Sequence, residues 1–160
     1  RNKEVYIWQN MGEIYEEIRN VLNKLPFKYS EHKRKDGFTI FSKQLGIYLS
    51  PLGKSFEKYI PKEFKNLCSE QLKILFDAMY KGDGTKTNKI YTTSSKKLAD
   101  DVQEILLKIG KSGNIRIIDN IGRKAPHGTT KYLHYLIGII DKKNNPMVNM
   151  HEIQDSWIEY

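Results

Sequence analysis

The sequence predicts an α+β fold in which one order of elements occurs twice. Two amphipathic helices are the clearest signals: residues 10–25, where apolar side chains recur at spacings of three and four, and the segment between Ser95 and Gly110. A strand-like segment precedes each helix, and two more follow it. The order strand, helix, strand, strand therefore covers residues 5–42 and again residues 89–141, as a repeat of pattern rather than of residues.

Turn chemistry supports the strands of the first copy. An Asp-Gly dipeptide at positions 36–37 stands between the alternating segments 27–33 and 38–42, and such a dipeptide is typical of a β-hairpin. A short helix is expected over residues 44–52, closed by Gly53.

A further helix is predicted between the two copies. Ser69 is its expected N-cap, and it ends at Asp83. The second copy then supplies strands at 89–93, 114–119 and 132–141, the last two joined by the polar residues 120–130. No such helix precedes the first copy, and the sequence begins at Arg1 directly before a strand. We therefore expect it to be an excised piece of a longer chain.

Composition restricts the class of protein. A chain of 160 residues is long enough for one domain with a substantial core, or for two small repeats that share one. The net charge of +8 favours a polyanionic partner such as nucleic acid. The single cysteine, Cys68, excludes an internal disulfide and a Cys-based zinc site, and it favours a reducing compartment, so a cytoplasmic protein is expected. No apolar run approaches the roughly 20 residues of a membrane span, so no membrane partner is expected.

The end of the central helix carries the most informative residues. Asp83 lies at a predicted helix C-terminus, where the negative end of the helix dipole disfavours a carboxylate, so a cation such as a divalent metal should compensate it. Ala78 and Gly82 lie one turn apart and form a smooth strip on which a partner helix could pack closely. The alternative is an ordinary helix end, with Gly84 as a cap and a solvated Asp83.

A family resemblance follows from three segments: residues 76–85, residues 91–103 and the Lys-Tyr-Ile-Pro loop at 58–61. Together they resemble the second half of a LAGLIDADG homing endonuclease of the type embedded in inteins. The nine-residue motif is degenerate, and departs from the namesake letters at Phe76, Asp77, Met79, Tyr80 and Lys81. The resemblance implies αββαββα pseudo-repeats with a saddle-shaped antiparallel sheet. It divides the chain into the C-terminal part of a first repeat (1–68), a second repeat (69–150) and a return to an intein splicing domain or linker (151–160).

The resemblance also implies an activity and a site. The chain would be a site-specific double-stranded DNA endonuclease that hydrolyses phosphodiesters with Mg²⁺. Asp83 and Gly84 would hold two or more divalent ions, shared with a second acid that this sequence lacks. That acid would come from the missing first-motif segment or from a second copy of the chain. Lys58 would be a catalytic lysine near the scissile phosphate, and Lys142 and Lys143 are the candidates in the second repeat, although all three could be plain surface charge.

DNA contact is the other role that the resemblance implies. Outward side chains of the two strand pairs would lie in the major groove. Strand alternation selects Lys28, Ser30, His32, Arg34, Lys35, Thr39, Asn114, Arg116, Arg123, Lys124, Lys131 and His134. A register slip of one residue would exchange this set for its neighbours.

Two other functions remain open at this point. The chain could be a catalytically inactive DNA-binding module that has kept the fold, because the first acid is missing and position 81 holds a lysine. It could also be a structural insert whose basic face contacts only RNA or nothing.

Overall fold

The first part of the chain folds into a small sheet covered by a helix. The structure is a computed structural model, and it describes residues 4–85, 87–125 and 128–141. The elements of this first part are β1 (Val5–Trp8), α1 (Glu13–Leu22), β2 (Tyr29–Glu31), β3 (Gly37–Ile40) and α2 (Lys43–Leu49), followed by a 3₁₀ turn at Ser50–Leu52.

The second part forms a larger sheet with two long helices. Its elements are α3 (Lys62–Lys65), α4 (Ser69–Asp83), β4 (Gly84–Thr85), β5 (Ile90–Thr93), α5 (Lys96–Lys108), β6 (Ser112–Ile118), β7 (Lys124–Ala125), β8 (Gly128–Thr129) and β9 (His134–Ile140). Strands β7 and β8 form a separate two-stranded hairpin within the connection between β6 and β9. No helix in the described part of the chain is long and apolar enough to cross a membrane.

The two sheets share one strand order, which confirms the predicted pseudo-repeats. We call β1, α1, β2 and β3 the first unit, and β5, α5, β6 and β9 the second unit. In the first unit the strands are ordered β1-β3-β2, and in the second they are ordered β5-β9-β6, with β4 added beside β5. All neighbouring strands are antiparallel, and the last strand of each unit lies in the middle of its sheet. The predicted α+β class is therefore confirmed.

Each unit packs its helix on one face of its sheet. The core of the first unit consists of Tyr15 and Leu22 from α1 with Phe38 and Ile40 from β3. The core of the second unit is larger and is built from α4, α5 and the sheet around Ile137. Residues from the loop after the 3₁₀ turn also pack on this second core, among them Ile60, Phe64 and Leu67.

Two details differ from the sequence prediction. Helix α4 begins at Ser69, so its N-cap is Cys68 and the prediction of Ser69 was wrong by one residue. Cys68 has extended backbone angles, and its N–H donates to the Gln71 Oε1 at 3.4 Å. Helix α1 is shorter than the predicted 10–25, and its buried side chains are Tyr15 and Leu22. Several members of the predicted stripe are exposed instead: Met11, Val21 and Leu25.

Candidate active site and nucleic-acid interface

The C-terminus of α4 presents Asp83 to solvent at the point where the chain turns into β4. Asp83 is the last residue of the helix, and its side chain is exposed. Gly84 is the C-cap, and its N–H donates to the Tyr80 carbonyl. A Cβ at position 84 would lie 2.5 Å from the Tyr80 ring and carbonyl oxygen, so only glycine fits there without a rearrangement. The tight exit therefore fixes the direction in which the chain leaves Asp83.

A polar cavity of about 180 Å³ brings three of the predicted site residues together. Asp83 reaches it from α4, Lys58 from the loop before α3, and His134 from the start of β9. The rest of the lining is mostly hydroxyl-bearing and comprises Ser55, Thr92, Thr93, Ser94 and Leu98. Acid, ammonium and imidazole groups therefore face one small concavity, where a phosphodiester could meet all three.

Tyr91 lies beneath this cavity and was not predicted from the sequence. Its side chain is buried, and it lines a neighbouring apolar cavity together with Asp83 and Lys58. Burial and, secondarily, the negative charge of the Asp83 carboxylate raise the pKa of the Tyr91 hydroxyl above its usual value. The hydroxyl therefore stays protonated at neutral pH and can donate a hydrogen bond towards Asp83. The only sequence signal for Tyr91 is that it is a tyrosine in a predicted strand shortly after Asp83.

The small-residue strip of α4 lies between two apolar cavities. Ala78 and Gly82 are exposed, and both line a cavity of about 410 Å³ on one side and another of about 480 Å³ on the other. The larger cavity separates α4 from the apolar outer face of α1, formed by Ile14, Val21 and Leu25. Across it, the Lys81 Nζ lies 2.6 Å from the Glu17 Oε2. The strip therefore has the small side chains and the open space that a closely packed helix requires.

Comparison with known protein families supports this interpretation of the second part of the chain. Residues 70–144 match the family model of the LAGLIDADG-like domain. We name residues 70–144 the LAGLIDADG-like domain after the model that they match, which covers slightly less than half of the chain. The match covers α4 with Asp83, and the whole sheet of the second unit, and it supports a homing-endonuclease-like, DNA-binding class of protein. No curated protein matches the chain.

In the LAGLIDADG-like domain, the predicted DNA-contacting residues of the sheet share the face that points away from α5. Asn114 pairs with Gly138, Arg116 with Leu136, and His134 with Ile118, whereas the buried Ile137 points to the opposite face. Asn114 and Arg116 are exposed. The remaining predicted residues lie on the β6–β9 connection and are also exposed: Arg123, Lys124 and Lys131.

The sheet that precedes the LAGLIDADG-like domain carries the other predicted contacts. Lys28 and Ser30 are exposed on its outer face, and Arg34 and Lys35 are exposed at the hairpin tip. Thr39, expected to point outward, lies on that face because it pairs with Ser30.

However, Thr39 is only 8% exposed, so its expected accessibility was wrong. Its Oγ1 lies 3.1 Å from the His32 Nε2, and the imidazole packs over the strand. Sequence reasoning also missed two exposed aromatic residues on this face, Tyr6 and Trp8. The alternation of the first strand was the signal that could have found them.

The second-repeat lysine candidates, Lys142 and Lys143, lie outside the described residues.

Proposed function

We propose that this chain is the endonuclease part of an intein-type homing endonuclease, which cleaves a specific double-stranded DNA site with Mg²⁺. The observation that carries the proposal is the meeting of Asp83 and Lys58 at one polar cavity, at the end of the α4 helix of a LAGLIDADG-like domain. The basic outer faces of both sheets supply the surface that a polyanionic duplex requires.

The donor set at Asp83 fits part of a magnesium site. Its carboxylate and the Gly84 carbonyl are hard oxygen donors of the kind that Mg²⁺ prefers. Across residues 4–85, 87–125 and 128–141, no three His, Cys, Asp or Glu side chains form a group that could hold a metal ion. A second carboxylate is therefore required, and we propose that it belongs to another motif helix, packed on Ala78 and Gly82. That helix would come from a segment outside this sequence or from a second copy.

The side chains of this chain have separate roles in the proposed reaction. The bound ions would supply activation of water and neutralisation of charge at the leaving oxygen. Asp83 would hold the ions at the helix end, and the Tyr91 hydroxyl would orient its carboxylate through a hydrogen bond. The Lys58 ammonium approaches the phosphate from the opposite wall and offsets the negative charge that develops on it. Lys142 and Lys143 remain our candidates for the equivalent lysine of the second repeat.

A cleavage assay with matched helix variants tests the proposal. The wild-type chain and the variants Asp83→Asn and Asp77→Asn are incubated with MgCl₂, an added motif-helix segment and a plasmid library that carries randomised inserts. Asp77 is the control, because it lies on the same helix but is exposed and pairs with Lys73 rather than lining the Asp83 cavity. We expect Asp83→Asn to lower the linearisation rate by about 100-fold or more, since a metal site is worth several kcal/mol in such reactions. Cleavage that survives Asp83→Asn would refute the proposed role.

A second function, a DNA-binding module without catalysis, is favoured by two observations. Among the described residues, no second acid lines the cavity at Asp83. The Lys81 ammonium is engaged by Glu17 beside the strip where a partner helix would have to pack. Tight and salt-dependent binding of duplex DNA, without metal-dependent cleavage in the presence of an added motif helix, would select this function. A failure to bind any duplex at low salt would exclude both.

A further inference from the structure

We infer that Ser95 and Asp101 of helix α5 are positioning residues that hold Lys58 at the Asp83 cavity. The inference rests on the proposed function, in which Lys58 acts at the scissile phosphate. Neither side chain lines the cavity that Asp83 and Lys58 share. Each acts through the backbone of the loop that carries Lys58.

Three contacts attach this loop to the start of α5. The Ser95 Oγ donates to the Lys58 carbonyl at 2.6 Å, and Asp101 Oδ2 accepts from the Ile60 N–H at 2.8 Å. Between these two hydrogen bonds, the Lys97 Nζ lies 4.0 Å from the centre of the Tyr59 ring. The loop is therefore fixed immediately before, at and after Tyr59, so the backbone of Lys58 has little freedom to move.

Because Ser95 and Asp101 are buried, loss of their hydrogen bonds to the loop would leave buried polar groups without partners. Ser95 is fully buried and Asp101 is only 5% exposed. The second Asp101 oxygen, Oδ1, accepts from the Lys65 Nζ at 2.7 Å, so the buried carboxylate is paired as well as hydrogen-bonded. Removal of Asp101 would leave the Ile60 N–H without its acceptor in a buried setting.

Helix α5 connects the loop to the other walls of the cavity. Val102, Ile105 and Leu106 of this helix are fully buried in the second core, so α5 is a rigid support. Ser95 also caps the helix, because its Oγ accepts from the Leu98 N–H at 3.1 Å. The three preceding residues, 92–94, line the cavity that Asp83 and Lys58 share. The N-terminus of α5 therefore holds Lys58 in a fixed position relative to residues 92–94, which form the hydroxyl-lined wall of the cavity.

Three variants of neighbouring residues separate positioning from general stability. Asp101→Ala removes the acceptor, and Asp101→Asn keeps an oxygen that can accept from Ile60. Asp100→Ala is the matched control, because Asp100 is exposed on the same helix and pairs with Lys96 of that helix. Far-UV circular dichroism identifies the variants that fold. We expect hydrogen exchange at the Ile60 amide to accelerate at least about 10-fold in Asp101→Ala. It should stay near wild type in the other two.

Cleavage then decides whether the attachment acts through Lys58. We expect Asp101→Ala to lower the single-turnover cleavage rate at saturating DNA by about 10- to 100-fold, since a misplacement of about 1 Å has effects of that size. Asp101→Asn should restore most of the rate. In a Lys58→Ala background, Asp101→Ala should cause no further loss.

The outcomes distinguish the inference from the proposed function. Three results would each overturn the inference alone. The first is an equal loss of cleavage rate from Asp101→Ala with and without Lys58, and the second is an equal loss in Asp101→Ala and Asp101→Asn. The third is an unchanged exchange rate at the Ile60 amide in Asp101→Ala. A wild-type chain that is supplied with the motif helix, and that binds DNA without cleaving it, would overturn the proposed function. The positioning role is then tested by binding: Lys58→Ala should lower the salt slope by about one unit. Asp101→Ala should lower the slope in the wild-type background and should lower it no further in Lys58→Ala.

Discussion

The first and second units have the same strand order but differ in how their helices are covered. Helix α5 buries six residues between its sheet and α4. Helix α1 buries only Tyr15 and Leu22, and its other apolar face lines the open cavity beside α4. Within the described residues, α4 is thus a feature of the second unit for which the first unit has no counterpart. The exposed apolar face of α1 lies where such a counterpart would pack.

The difference in helix burial indicates which unit is the more stable. Within the described residues, the core on which the second unit packs contains ten buried residues, seven from the unit itself and three from α4 and the loop before α3. The core of the first unit contains four, and apolar burial is the main stabilising term in folding. We therefore expect the second unit to be the stable platform, and the first unit to gain most from a helix docked in the cavity beside α4.

The largest effect is expected from a core truncation in the first unit. Phe38 is fully buried, with its ring centre 4.4 Å from that of Tyr15. Phe38→Ala should lower the free energy of unfolding of this unit by about 3–5 kcal/mol. Native-state hydrogen exchange should show protection lost in β1, β2 and β3 but retained in β5, β6 and β9. Equal loss of protection in both sheets would show that the units unfold together and would break the comparison.

The next effect separates two glycines at the end of α4. A Cβ at Gly84 would meet Tyr80 at 2.5 Å, whereas a Cβ at Gly82 would have no heavy atom within 4 Å. Gly84→Ala should therefore destabilise the chain by about 1–3 kcal/mol. Gly82→Ala should stabilise it by about 0.5–1 kcal/mol, because alanine is the better helix former. Urea unfolding of both variants measures the pair.

The sign of the Gly82→Ala effect sharpens the docking hypothesis. A side chain at position 82 fills the strip on which a second motif helix would approach, so a stabilised chain should also dock that helix less tightly. A destabilised Gly82→Ala variant would instead show that the strip is already covered in the folded chain.

Long, strongly periodic segments made most of the fold predictable from the sequence. The stripe of α5 and its Ser95 cap fixed that helix to within a residue, and the Asp-Gly dipeptide at 36–37 located the hairpin between β2 and β3. Helix α1 was predicted less well, because some of its apolar residues face the core of the first unit and others face the cavity beside α4. The periodicity of the sequence cannot distinguish these two environments. Tyr15 was missed for the same reason.

The site was predictable in its residues but not in its assembly. Asp83 was selected from its place at the end of a helix and Lys58 through the resemblance to a family, whereas their common cavity with His134 depends on three elements far apart in the chain. The attachment of the Lys58 loop by Asp101 had no sequence signal either, because an acid in a helix usually predicts a solvated face. Such contacts are tertiary, and local propensity carries no information about them.

A smaller effect tests whether both sheets contact DNA. Lys28 is exposed on the first sheet and Arg116 on the second. Each change to alanine should lower the salt slope of duplex binding by about one unit. The loss of affinity between 50 and 200 mM salt should then be about fourfold smaller than in the wild-type chain. Fluorescence anisotropy at several salt concentrations measures the slopes, with Lys73→Ala on the surface of α4 as the control. A change confined to Arg116→Ala would restrict the interface to the LAGLIDADG-like domain.

The central strands of the two sheets also end differently. Asp141 follows β9, and its carboxylate accepts from the Lys111 Nζ at 2.6 Å and from the Lys89 Nζ at 2.8 Å. It thereby connects the central strand to the residues before both of its neighbours, β5 and β6. The residue at the equivalent place after β3 is Phe41, which is exposed and carries no charge. The ion pairs therefore secure only the second sheet.

The smallest expected effect follows from this carboxylate. Hydrogen bonds from Lys111 and then Lys89 lower the pKa of Asp141 to about 2, below its value in an unfolded chain. A lowered pKa stabilises the fold above the unfolded value of about 3.9, and this contribution is lost as the pH falls towards 2. Because Asp141 is 41% exposed, solvent screening reduces the contribution to about 0.5–1 kcal/mol. Asp141→Asn should lose that amount in urea unfolding at pH 7, and the difference from wild type should shrink in high salt and vanish near pH 2. A difference that persists at pH 2 would show that the side chain acts through packing rather than through its charge.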